Sequence, residues 1–156
     1  MATLTKLSYG GTAAIVTGMG LIVGFDAATA SKATLVGSLL LIAVADNLAD
    51  SLAIHAYQES ERLAAKQAFR STVANFVTRF LVAASFLILV LALPLGRLTP
   101  AALAWGMALL GTLTYFVARD RGVAPLPEVA KHLAVALVVI VVSRAIGSWI
   151  LTRVGG

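Results

Sequence analysis

Five apolar runs dominate the sequence, at residues 8–25, 33–56, 72–94, 100–118 and 127–151, with short segments carrying Gly, Pro or charge between them. Crossing the hydrocarbon core of a bilayer takes about 20 mostly apolar residues in a helix, so each run has the required length. In lipid, every backbone N–H and C=O must be paired inside a helix or around a closed barrel. The strict alternation of barrel strands is missing here, so all five runs read as helices. Composition points the same way: 60% of the residues are hydrophobic, against about 45–50% in soluble domains. Only 12% are charged, and the mean hydropathy is +0.95. The expected fold is all-α: one integral membrane bundle of five transmembrane helices occupying residues 1–156, in contact with the lipid bilayer.

The breaks between runs carry their own signals. Residues 26–32 form a short polar turn, Pro94, Gly96 and Pro100 form a second, and the stretch from Gly122 to Pro127 a third, with Pro127 placed for the first turn of a helix. The link 57–70 contains neither Gly nor Pro and is rich in helix formers, so it is expected to be helical and to carry the second and third spans beyond the bilayer. Lys6, the run 13–25 and Ala28-Thr29-Ala30 imitate a secretory signal with its cleavage site. Gly18, Gly20 and Gly24 interrupt that run, which suits a packed helix, and Gly20-x-x-x-Gly24 is a small-residue stripe for close helix contact. Cysteine is absent, which excludes disulfides and thiolate metal sites.

Orientation follows from the distribution of Lys and Arg. Lys6, Arg62, Lys66, Arg70, Arg119, Arg121 and Lys131 fall on the amino-terminal side of a five-span chain, and Lys32, Arg97 and Arg153 fall opposite. This predicts an amino terminus inside and a carboxyl terminus outside. Trp105 and Trp149 then lie near the outer interface, and Tyr9, Tyr57 and Tyr115 near the inner one. The basic residues are scattered singly and form no stripe, so no nucleic acid is expected as a partner. No H-E-x-x-H, G-x-S-x-G or phosphate loop occurs, so the chain is not expected to be an enzyme or to hold a cofactor.

Four charges lie inside the runs: Asp46 and Asp50 in the second, Arg79 in the third and Arg144 in the fifth. Intramembrane charges are costly and mark functional sites or specific partners. Asp46 and Asp50 are four residues apart and share a helix face, and Asn47, Ser51, His55 and Gln58 form the adjoining stripe. One reading makes Asp46, Asn47, Asp50, Ser51 and His55 a transport path. Asp46, Asp50 and His55 would then be ligands of a divalent metal ion, and Glu59 and Glu61 an inner vestibule. The other reading is structural. Asp50 and Arg79 stand at similar depths and would form an ion pair, leaving Asp46 without a dedicated cation, while Arg144 either reaches Asp46 or snorkels outward.

Two stretches, YGGTAAIVTGMGLIVG at 9–24 and ADNLADSLAIHAYQESE at 45–61, resemble the vacuolar iron transporter family, in particular its short prokaryotic relatives. The resemblance implies a homodimer in a prokaryotic cytoplasmic membrane that exchanges Fe(II) or a similar ion such as Mn(II) for protons, with the path near the first two helices. This chain departs from the family pattern in three places. The early Asp-Gly pair of the family falls at about Ala13, Asp50 and Ala53-Ile54-His55 stand where the family has a methionine and Gly-Glu-Tyr, and the family's glutamate-rich domain between the second and third spans is replaced by the link 57–70. The two functions in view are therefore a membrane transporter of divalent transition-metal ions and a non-transporting membrane partner or scaffold with structural ion pairs.

Overall fold

The protein is described by a computed structural model covering residues 2–61 and 65–154. Six α-helices follow one another: α1 (Ala2–Ala27), α2 (Lys32–Leu41), α3 (Asn47–Ser60), α4 (Ala65–Ala92), α5 (Leu95–Asp120) and α6 (Pro125–Arg153). A π-helical turn, Ile42–Asp46, joins α2 to α3 in one continuous rod. That rod is the second of five helical segments long and apolar enough to cross a membrane, the others being Gly10–Ala27, Ala68–Ala92, Leu95–Asp120 and Pro125–Arg153. No strand occurs among the described residues. The chain is an integral membrane protein of five helical spans, as the apolar runs require. Arg62, together with the side chains of Lys6 and Tyr9, lies outside the described residues.

The turns follow from local chemistry. After α1 the chain reverses through Thr29, whose φ of 55° is left-handed, and the Ser31 side chain caps α2 by accepting the Thr34 N–H. At the end of α5, Gly122 has a φ of 70°. The Val123 N–H bonds back to the Ala118 carbonyl and the Gly122 N–H to that of Arg119, the paired pattern that needs a residue free of Cβ strain at this place. Pro125 then opens α6. One turn is tighter than its sequence suggests: α5 starts directly after Pro94, so Gly96 and Pro100 lie inside the helix. Pro100 cannot donate to the Gly96 carbonyl, and its ring crowds that same turn. Nothing packs within 4 Å of where a Gly96 side chain would stand, so the turn has room to adjust.

Helix α1 is the axis of the bundle and packs against α4, α5 and α6. Its buried residues Ile15, Met19 and Ile22 meet Phe86 and Val90 of α4 and Leu98, Ala102 and Leu110 of α5 in one apolar cluster. In lipid such contacts gain little from the hydrophobic effect, because the surroundings are equally apolar, so close packing has to supply the attraction. Small residues provide it. A Cβ added to Gly147 of α6 would collide with the Gly24 carbonyl of α1, so here the two backbones touch. The outward faces of α4 and α6, with Leu81, Ile88, Val138, Val141 and Trp149, are exposed and apolar, as lipid contact demands.

The second span stands apart from this arrangement, packing chiefly along α4. At its start the Lys32 ammonium donates to the Leu91 and Leu93 carbonyls at 2.9 and 3.2 Å, closing the end of α4. This clamp sets the antiparallel register. Asp46 lies fourteen residues after Lys32, and Arg79 fourteen before Leu93, about 21 Å of helix rise in each case.

Candidate functional site

Along α4 the buried positions Ala68, Ser71, Asn75, Arg79, Ala83, Phe86 and Val90 recur with the helical period, so the stripe facing the bundle is polar in its first half and apolar in its second. The second span answers with Ala43, Asn47 and Ser51, also buried. The polar halves meet halfway along the two helices. Asp46 is the midpoint of the 29-residue span Lys32–Ser60, and Arg79 is one residue from the midpoint of Ala68–Ala92.

Arg79 is the centre of the site. Its side chain is only 7% exposed, and it uses both terminal nitrogens: Nη2 donates to Asp46 Oδ2 at 2.7 Å, and Nη1 lies 3.1 Å from Asp50 Oδ2. A guanidinium offers five donors in a flat fork, so it can serve two carboxylates one helical turn apart. The pairing expected between Asp50 and Arg79 is therefore present, but Asp46 is not left without a cation. The correction comes from depth: α4 starts earlier than the apolar run suggests, which brings Arg79 level with Asp46 as well as Asp50. Arg144 takes no part. It is exposed on α6, which packs on α1 and α5 and not on the second span, and no ion pair reaches it among the described residues.

The π turn explains how these side chains are presented. The Asn47 N–H bonds to the Ile42 carbonyl, five residues back, and so leaves the Ala43 carbonyl without its usual partner. Asn47 repairs the defect with its own side chain: Nδ2 donates to Ala43 O at 3.3 Å and to Phe76 O on α4 at 2.9 Å. A buried amide thus ties the widened turn to the neighbouring helix, directly beside Asp46. One turn on, Asn75 Nδ2 donates to Ser51 Oγ at 3.3 Å and to Asp50 Oδ2 at 3.4 Å. Asn75 was not singled out from the sequence, although the spacing Ser71, Asn75, Arg79 is a polar stripe at four-residue intervals that could have shown it. Gly10 of α1 lies against this group, and a Cβ there would strike Asn75 Oδ1.

Beyond Asp50 an open cleft of about 420 Å³ runs between α3 and α4, lined by Asp50, Tyr57, Gln58, Ser71 and Asn75 among others. Gln58 Nε2 donates to Ser71 Oγ across it at 2.8 Å. His55 points elsewhere: Nε2 is 3.4 Å from Glu59 Oε1, and Nδ1 is 3.3 Å from the Thr72 hydroxyl. Nine residues separate it from Asp46, about 13 Å of rise. The expected set of Asp46, Asp50 and His55 therefore does not form, and no group of three or more His, Asp or Glu side chains is placed to hold a metal ion among the described residues. Glu61 ends α3, exposed, and Glu59 is exposed beside it.

Comparison of the chain with family models, with curated proteins and with solved structures finds no match.

Proposed function

We propose that the protein is a membrane transporter of divalent transition-metal ions, Fe(II) or Mn(II) in character, working by exchange for protons and as a homodimer. The observation that carries this reading is charge balance. Two carboxylates share one guanidinium at mid-span, so the group holds one negative charge in excess where charge is least tolerated. A proton taken up there removes the excess, and a divalent ion overcompensates it by one positive charge, so ion and proton compete for the same two carboxylates. Asp50 opens on the cleft, and the Asp46 side chain is 54% exposed, so both carboxylates are within reach of an ion that keeps part of its water shell. Glu59 and Glu61 gather cations at the mouth. An exposed carboxylate at mid-span calls for cover other than lipid, and a second copy of the chain across α3 supplies it. The resemblance of residues 9–24 and 45–61 to the vacuolar iron transporters supports the same class.

A specific observation favours the second reading, a non-transporting membrane partner: Arg79 already engages both carboxylates, and no three-donor metal group accompanies them among the described residues. Flux in liposomes separates the two. The transport reading predicts uptake of Fe(II) or Mn(II) coupled to proton release, abolished by Asp46→Asn and weakened in apparent affinity by Glu61→Gln. A folded wild type that moves no divalent ion, or unchanged flux in Asp46→Asn, refutes it.

A further inference from the structure

We infer that Arg79 and Asn47 hold one buried water molecule between them, at the junction of α1, the π turn and α4. Two polar atoms carry the inference. Arg79 Nε, a donor, and Asn47 Oδ1, an acceptor, are both buried and make no hydrogen bond to protein, although their residues are only 6% and 1% exposed. Both residues line the same cavity of about 10 Å³, with Ala14 and Gly18 of α1, Ile42 of the π turn and Ala83 of α4. That volume accommodates one water molecule. An unpaired donor and an unpaired acceptor on residues lining one cavity are what a water needs, since it accepts from Nε–H and donates to Oδ1. Leaving both unpaired would cost each group the hydration it loses on burial, and the charged one most. The other wall residues are small or apolar and offer no competing side-chain donor or acceptor.

The water completes a polar line between the second span and α4. It runs from Ser51 through Asn75 to Asp50 and Arg79, then through the water to Asn47, whose amide ends on the Ala43 and Phe76 carbonyls. The π turn, joined to Arg79 directly through Asp46, thereby gains a second hydrogen-bonded path to it through Asn47.

The test is a nuclear magnetic resonance measurement on the full chain, labelled with 15N at arginine and held in detergent micelles. The Arg79 Nε–H resonance is assigned by its loss in Arg79→Lys. The expected result is a cross-peak between that proton and water with the sign of dipolar contact rather than exchange, which disappears in Ala83→Val, where two methyl groups fill the cavity. Should Ala83→Val not fold, the wild-type cross-peak decides alone. A resolved Nε–H with no water contact, one broadened away by rapid exchange with bulk water, or a cross-peak unchanged in folded Ala83→Val overturns the proposal.

Discussion

The two faces of α4 and α1 that hold this bundle together use opposite means. Between α1 and α6 the seam is made of absence: Gly24 and Gly147 let the backbones touch, with Ser143 lying against Gly20 beside them. Between the second span and α4 the seam is made of polar groups, an arginine shared by two aspartates and two buried asparagines. Small residues hold helices by close packing and need no specific partner. The polar seam depends on register, because a shift of one residue separates every pair in it. Lys32 fixes that register from one end. The glycine seam fixes the bundle, whereas the polar seam places charge at mid-span and borders an open cleft.

The contrast can be broken deliberately. The largest effect is expected from Arg79→Leu, which strands two carboxylates. Breaking a buried pair from one side costs about 3–5 kcal/mol, and the exposure of Asp46 places this case at the lower end, measured by denaturation in detergent. Gly147→Val follows, at about 2–3 kcal/mol, since the new Cβ displaces the Gly24 carbonyl and overpacking has that scale. This loss should appear as separation of α6 from α1, read by spin-label distances, with the α3–α4 distance unchanged. Smallest is Lys32→Met. It removes one exposed and one part-buried hydrogen bond to the end of α4 and should cost about 1 kcal/mol, while loosening the spin-label distance between α2 and α4 more than any other. Equal responses of both seams to all three variants would mean that they are not independent.

Much of this fold was legible in the sequence, because apolar length and charge spacing act directly through the bilayer. The five spans, the polar turn 26–32 before the second, and the Arg79–Asp50 pair all follow from run length, turn residues and depth. What was not legible arises from contacts between helices. The segment Ile42–Asp46 contains no Gly or Pro, and its π turn is accompanied by contacts the sequence does not display, Asn47 bonding both the Ala43 carbonyl and Phe76 of α4. The Asp46–Arg79 bond was missed because the polar first turns of α4 hide where that span begins, which shifted the inferred depth of Arg79. His55 looked like a ligand by periodicity alone. The structure turns it toward Glu59 and Thr72, since a helix face wide enough to carry the whole stripe cannot point at one place.

A single guanidinium serves both carboxylates, so that Asp46 is held as firmly as Asp50. Two double-mutant cycles test it directly, one combining Asp46→Asn with Arg79→Gln and the other Asp50→Asn with Arg79→Gln, each read as unfolding free energy in the same detergent. Coupling of at least about 1 kcal/mol in both cycles is the predicted result, within the range for residues in one ion-pair network. Additivity in the Asp46 cycle to within about 0.5 kcal/mol, with coupling confined to Asp50, would mean that Arg79 holds Asp50 alone.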